Sequence, residues 1–66
     1  MKVRVNGEPQ VLRDAENVAE LLAELGYESR FVAVAVNKNC VRRGAFAATL
    51  VNEGDEIEVL APMAGG

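Results

Sequence analysis

The sequence of 66 residues contains no histidine, no tryptophan and a single cysteine, Cys40. One cysteine excludes an intramolecular disulfide, and the absence of histidine removes both the usual partner for a cysteine in a metal site and the usual general base. We therefore expect no metal site and no catalytic machinery of the chain's own. Cys40 is expected to be buried as a small apolar side chain, because free cysteine is among the most often buried residue types.

The sequence is also short of positive charge and of long apolar segments. Seven Lys and Arg stand against ten Asp and Glu, which gives a net charge of −3. Because nucleic-acid phosphates are bound by clustered Lys and Arg, this balance argues against nucleic-acid binding and favours a basic protein partner. No apolar run approaches the roughly 20 residues that cross a bilayer and no signal peptide is visible, so we expect a cytoplasmic protein without membrane contacts.

The N-terminal segment predicts a β-hairpin. Residues 1–5 alternate between apolar and charged side chains, which is the period-two pattern of a half-buried strand. Asn6-Gly7 favours a type I′ turn, because both central residues of that turn need positive φ, and the apolar pattern resumes at Val11-Leu12. Pro9 has no N–H to give to a ladder, which places the second strand at an edge of its sheet.

An amphipathic helix follows the hairpin. Between Asp14 and Gly26 the apolar residues recur every three or four positions, and the opposite face is acidic. Asn17 is expected to cap the first turn while Glu20 returns a hydrogen bond in a capping box, and Gly26 is expected to end the helix. We predict one main helix over about residues 18–25 that covers a sheet, since a membrane surface would favour Lys and Arg on the polar face.

The second half of the chain predicts three further strands. Residues 31–36 form a continuous apolar run rich in β-branched side chains, which is typical of a strand central in its sheet. A turn at residues 37–39 leads to a short strand at residues 40–41 and then to an irregular stretch. After a turn around Gly54, residues 56–60 alternate again and form the last strand.

These patterns predict one modest aliphatic core. Aromatic residues make up only 5% of the chain while half of it is hydrophobic, and a domain of this length buries only about 60% of the surface that its unfolded chain exposes. Spacing places four residues on buried faces: Leu21, Leu25, Val34 and Ile57. Three further side chains are expected to join them: Phe31, Phe46 and Leu50.

The C-terminal segment, residues 61–66, has the features of an arm. Its last two residues are glycines, which form a thin backbone that can enter a slot closed to any side chain. Pro62 cannot donate to a ladder, so we predict a domain over residues 1–60 and a flexible arm over residues 61–66. A frayed terminus without function would have the same composition.

The order of these elements resembles the ubiquitin-like β-grasp fold, and within it the sequence resembles the ThiS family of sulfur carriers in thiamine biosynthesis. The matching segments are Asn17-Val18-Ala19-Glu20-Leu21-Leu22, Val34-Ala35-Val36-Asn37 followed by Val41, Gly54-Asp55-Glu56-Ile57-Glu58-Val59, and Ala64-Gly65-Gly66. The resemblance implies an α+β fold with a mixed sheet of four to five strands, one covering helix and a flexible Gly-Gly tail. The sequence departs from the family at Arg42, where ThiS-like proteins often have proline.

The resemblance also implies a function. The carboxylate of Gly66 would be adenylated by an E1-like enzyme similar to ThiF, which binds the ATP and magnesium, while Gly65 and Ala64 are recognised in its channel. Sulfur from a persulfide donor would then give a C-terminal thiocarboxylate, which a thiazole synthase similar to ThiG accepts. The chain would bind no cofactor and catalyse nothing itself. Cys40 is not expected to relay sulfur, given its expected burial.

The length of the arm limits where a partner can dock. Six extended residues span roughly 20 Å, so we expect docking near the base of the arm through Arg43, Glu56 and Glu58, together with exposed apolar atoms on the outer face of the sheet. These charges could equally form a solvated strand face. Three other functions remain open: a small subunit of molybdopterin synthase similar to MoaD, a ubiquitin-like protein modifier, and a β-grasp interaction module that never uses its terminus. Residues 61–64 also resemble the corresponding segment of MoaD.

Overall fold

The structure, a computed structural model, describes residues 1–61. Their elements in chain order are β1 (Lys2–Val5), β2 (Glu8–Val11), α1 (Val18–Leu25), a 3₁₀ helix (Ser29–Phe31), β3 (Ala33–Val36), β4 (Asn39–Val41), a second 3₁₀ helix (Arg43–Ala48) and β5 (Glu56–Leu60). The predictions for Pro62, Ala64, Gly65 and Gly66 lie outside the described residues.

The five strands form one mixed sheet in the order β2-β1-β5-β3-β4. β5 runs parallel to β1, and the other three neighbouring pairs are antiparallel. Pro9 lies on β2 at the edge of the sheet, as predicted from its missing N–H. The strand at the middle of the sheet is β5, whereas the sequence predicted that position for the apolar run that becomes β3.

The β1–β2 hairpin has the predicted turn. Asn6 and Gly7 have φ angles of 52° and 83°, which are the two positive values that a type I′ turn requires. The register pairs Val5 with Glu8 and continues to the pair of Lys2 with Val11. Val3 and Val5 therefore face the core while the charged residues between them face solvent.

Helix α1 has the predicted bounds and the predicted end groups. The Oδ1 atom of Asn17 accepts a hydrogen bond from the N–H of Glu20 at 2.8 Å, and Gly26 ends the helix with a φ angle of 86°. The expected return bond of the capping box is wrong, because the Glu20 carboxylate accepts the N–H of Glu16 at 2.8 Å instead. An isolated β-bridge between Asn17 and Leu50 holds the residues before the helix extended and leaves the Glu16 amide within reach.

The core lies between α1 and one face of the sheet. Leu21, Val34 and Ile57 are buried as predicted, and Phe46 joins them from the second 3₁₀ helix. Leu25 is only half-buried and packs against the margin of this core. The full set of buried hydrophobic residues is Val3, Val5, Leu12, Ala15, Val18, Leu21, Leu22, Val32, Val34, Phe46, Val51, Ile57 and Val59.

Two predicted core residues are exposed, and each is displaced from the core by one position. Phe31 is 56% exposed because it ends a 3₁₀ helix before β3 begins, and Val32 takes the buried position. The guanidinium of Arg30 lies 5.2 Å from the centre of the Phe31 ring and partly shields it. Leu50 is 66% exposed, and Val51 is buried in its place.

Candidate functional site

Among residues 1–61, no helix covers the face of the sheet opposite α1, here called the outer face, which ends beside the start of the predicted arm. Along β5, Ile57 and Val59 are buried under the helix, and Glu56, Glu58 and Leu60 point to the outer face. This alternation follows directly from the two-residue period of a strand. Leu60 is 73% exposed and stands immediately before Ala61, so the outer face carries an apolar side chain at the point where the described chain ends.

An apolar groove of about 350 Å³ lies on this face beside Leu60. Ala35 lies between the longer side chains of its partners Glu58 and Cys40, and Ala33 lies beside Leu60, its partner on β5. The short alanine side chains of β3 thus form the floor of the groove. The remaining lining residues are Asn6, Val34 and Lys38.

Cys40 is exposed on the wall of this groove, which corrects the expectation that it is buried. The physical reason is the register of β4. Val41 pairs with the buried Val34 and is turned toward the core, so its neighbour Cys40 must face the opposite side. Burial therefore does not exclude a sulfur relay through Cys40.

The structure places the three predicted docking residues in different surroundings. Glu58 lines the apolar groove, and Glu56 lies further along the outer face with its Oε2 atom 3.8 Å from the Nε atom of Arg4. That ion pair is more than half exposed on both sides, so its contribution to stability is small. Arg43 begins the second 3₁₀ helix, and its Nε atom donates to the carbonyl of Ser29 at 3.3 Å, outside the groove.

Sequence reasoning assigned Asn6 only to a turn, but its side chain also contacts β5. The Nδ2 atom donates to the Val59 carbonyl at 3.1 Å, and the Oδ1 atom accepts from the Val59 N–H at 2.8 Å. Asn6 also lines the groove. The signal available in the sequence was the choice of asparagine in the turn, since glycine would serve the turn alone equally well.

Two other kinds of site are absent from the described residues. Residues 1–61 contain no cluster of three or more Cys, Asp or Glu side chains with the arrangement of a metal site. Among the same residues, no helix has the length and apolar character needed to cross a bilayer.

A mixed five-stranded sheet that wraps one helix, with its last strand between β1 and β3, defines the β-grasp class. The chain belongs to the ThiS family, whose family model matches residues 3–66. It is similar to the crystal structure of the thiamine biosynthesis protein ThiS from Geobacter metallireducens, with a TM-score of 0.82 and 42% identity over the whole of both chains. The resemblance and the fold class inferred from the sequence are thereby confirmed.

Two curated relatives are considerably longer than this chain. It is 41% identical to a thiazole synthase of Paramagnetospirillum magneticum and 39% identical to a thiazole synthase of Magnetococcus marinus, in each case over all 66 residues. These 66 residues span 20% of the length of each relative. In both relatives, a ThiS-like segment therefore shares one polypeptide with a much larger remainder.

Proposed function

We propose that the chain is a protein-borne sulfur carrier that supplies the sulfur of the thiazole ring of thiamine. The observation that carries the proposal is the match to the ThiS family over residues 3–66, which includes the Gly65-Gly66 pair. The likeness to a ThiS structure over the whole of both chains supports it further. On this proposal the chain is a substrate of its partner enzymes and not an enzyme itself.

The chemistry centres on the carboxylate of Gly66. An oxygen of this carboxylate attacks the α-phosphate of ATP, which is bound with magnesium by a ThiF-like enzyme, and pyrophosphate leaves. The terminal sulfur of a persulfide donor then bonds to the acyl carbon as AMP departs, which leaves an acyl disulfide. A second thiol attacks the donor's sulfur in that disulfide, forms a new disulfide with it and so releases the thiocarboxylate. Gly65 and Ala64 contribute a narrow backbone, because a larger side chain at either position would meet the wall of the channel.

The outer face is the surface on which we expect the partners to dock. The groove beside Leu60 offers apolar area, and Glu58 at its margin offers a negative charge to a basic partner. A thiazole synthase similar to ThiG is the proposed acceptor. This assignment is supported by the two longer relatives, which are named thiazole synthase and carry a segment homologous to this chain.

Intact-mass measurement tests the proposal. The protein is incubated with a ThiF-like enzyme, ATP, magnesium and a persulfide donor, and a mass gain equal to the replacement of one oxygen by sulfur is expected. A variant cut after Ala64 serves as the matched control and should gain nothing. An unchanged mass, under conditions in which a known ThiS protein is converted, would contradict the sulfur-carrier assignment. It would favour the alternative function, a β-grasp interaction module.

A further inference from the structure

The two hydrogen bonds between Asn6 and Val59 occur where the ladder between β1 and β5 would otherwise end. The backbone N–H of Arg4 donates to the Asp55 carbonyl at 3.0 Å, and that of Asn6 donates to the Ile57 carbonyl at 2.8 Å. In a parallel ladder the next bonds would join Val59 to the backbone of the residues that continue β1. Those residues are not available, because the chain turns away into the hairpin at Asn6, with a φ angle of 52°.

The Asn6 side chain supplies both of the missing groups. Its Oδ1 atom takes the place of the backbone carbonyl that would accept from the Val59 N–H, and its Nδ2 atom takes the place of the N–H that would donate to the Val59 carbonyl. An amide is the only uncharged side-chain group with a carbonyl acceptor and an N–H donor together. Asparagine is also the non-glycine residue best suited to the left-handed region that the turn requires.

We propose that Asn6 is a positioning residue, whose side-chain amide extends the β1–β5 ladder by one residue and sets the point at which the chain leaves the sheet. This inference rests on the proposed function, in which the reactive group is the carboxylate of Gly66. That group lies seven positions beyond Val59, or about 25 Å at full extension. On its other side the end of β5 is held by β3, where Glu58 pairs with Ala35 and Leu60 pairs with Ala33.

The consequence concerns the number of residues that a partner enzyme must order. With the amide in place, the end of β5 is bonded on both sides, through Val59 to Asn6 and through its neighbours to β3, and only the residues after Leu60 have to be placed in a channel. Without it, the end of β5 is bonded on the β3 side alone, and Val59 can separate from β1. Misplacement of a reacting group by about 1 Å can cost up to about a hundredfold in rate.

The structure contains a matched control at the opposite end of β5. Asn37 also has a positive φ angle, of 50°, in the turn between β3 and β4. Its Oδ1 atom accepts from the Glu56 N–H at 2.9 Å, and its Nδ2 atom donates to the Asp55 carboxylate at 3.0 Å. Asn37 therefore holds the start of β5 in the way that Asn6 holds its end.

The variants Asn6→Gly and Asn37→Gly test the proposal together, because glycine keeps the positive φ of each turn and removes only the amide. In Asn6→Gly, hydrogen exchange at the Val59 N–H should accelerate about tenfold relative to the Ile57 N–H, as expected for one lost hydrogen bond. In Asn37→Gly, the relative exchange at Val59 should stay unchanged. Equal exchange at Val59 in Asn6→Gly and the parent protein would overturn the proposal.

Kinetics of pyrophosphate exchange with the ThiF-like enzyme give the second readout. We expect kcat to fall roughly tenfold in Asn6→Gly with KM altered less than about twofold, and both constants to stay near the parent values in Asn37→Gly. A higher KM with unchanged kcat would show that the amide is a docking contact and would overturn the positioning role. If the parent protein is not adenylated at all, the proposed function fails, and exchange at Val59 alone decides whether Asn6 holds the strand.

Discussion

Glu24 shows how a single exposed carboxylate can order a loop. Its two oxygens accept the backbone N–H groups of Arg13 at 2.6 Å, Asp14 at 3.3 Å and Ala15 at 3.2 Å, and thereby hold the segment between β2 and α1 against the last turn of the helix. The hydrogen bond from Arg13 is the main cause that lowers the pKa of Glu24 below its ordinary value of 4.5. The other two hydrogen bonds and the charge of Arg13 act in the same direction.

The lowered pKa predicts a pH-dependent contribution of Glu24 to stability. Because the carboxylate is favoured in the folded state, its contribution is present above pH 4.5 and is lost as the pH falls through the lower folded-state pKa. Glu24→Gln should therefore lower the free energy of unfolding at pH 7 and remove part of its dependence on pH below 4.5. Urea denaturation across this range measures both effects.

A control variant isolates the hydrogen bonds of Glu24 from its charge. Glu8→Gln makes the same change of charge at an exposed position on β2. It should have little effect on the free energy of unfolding at pH 7. Equal losses of stability in the two variants would show that the Glu24 bonds contribute nothing beyond net charge.

Three leucines at different depths predict a graded series of losses of stability. Leu21 is fully buried, Leu25 is half-buried at the margin of the core, and Leu50 is exposed. Leu21→Ala should cost about 2–5 kcal/mol, which is much of the stability of a domain of this size. We expect Leu25→Ala to cost less and Leu50→Ala to cost almost nothing. Thermal or urea denaturation orders the three variants, and a loss at Leu50 equal to that at Leu21 would contradict the burial pattern.

At the scale of the elements, the start of α1 provides the next prediction. Asn17 satisfies the Glu20 N–H, which has no partner within the helix, so Asn17→Ala should destabilise the protein by about 1 kcal/mol. Asn17→Asp keeps an acceptor oxygen at the same distance from the backbone and should retain most of the stability. Comparison of the two unfolding midpoints gives the value of the cap. The prediction fails if Asn17→Asp is as unstable as Asn17→Ala.

Elements with a local signal could be predicted from the sequence. The Asn6-Gly7 turn, the Asn17 cap and the Gly26 end of the helix each depend on the conformation of one or two residues, and each is confirmed. The alternation of β5 was an equally local signal. Ile57 and Val59 face the core, and a shift of the strand by one residue would turn both of them to solvent.

Features that depend on distant partners could not be predicted. The order of strands is set by pairings far apart in the chain, such as that of β1 with β5, and no local pattern encodes it. The predicted burial of Phe31 and Leu50 is wrong, because the 3₁₀ helix before β3 and the isolated bridge at Leu50 each shift the buried position by one residue. The groove was missed for the same reason, because its walls come from Asn6, from β3 and β4, and from β5.

At the scale of the whole molecule, the outer face predicts an effect of charge on docking. Glu58 is exposed beside the groove, so Glu58→Lys should raise the KM of the ThiF-like enzyme and weaken its dependence on salt. Glu8→Lys makes the same change of charge on β2, opposite Val5, whose side chain faces the helix side of the sheet, and should leave KM nearly unchanged. Pyrophosphate exchange at several ionic strengths measures both variants. The docking surface is misplaced if Glu8→Lys has the larger effect.

The last prediction separates the stability of the molecule from its proposed reaction. Every buried hydrophobic residue of the described chain lies between Val3 and Val59, so a chain cut after Ala64 should keep the melting temperature of the parent protein. The same cut should abolish adenylation, because the new terminus falls two residues, or roughly 7 Å of extended chain, short of the nucleotide. Calorimetry and pyrophosphate exchange measure the two effects.

An added residue supplies the complementary test. One alanine after Gly66 moves the carboxylate past its site and places a Cβ where the channel admits only glycine, so it should be as damaging as the cut. An interaction module that never uses its terminus would tolerate both changes. Full adenylation of either variant would therefore refute the carrier assignment, whereas loss of adenylation with an unchanged melting temperature would place the reaction at Gly66 and the fold in the residues before it.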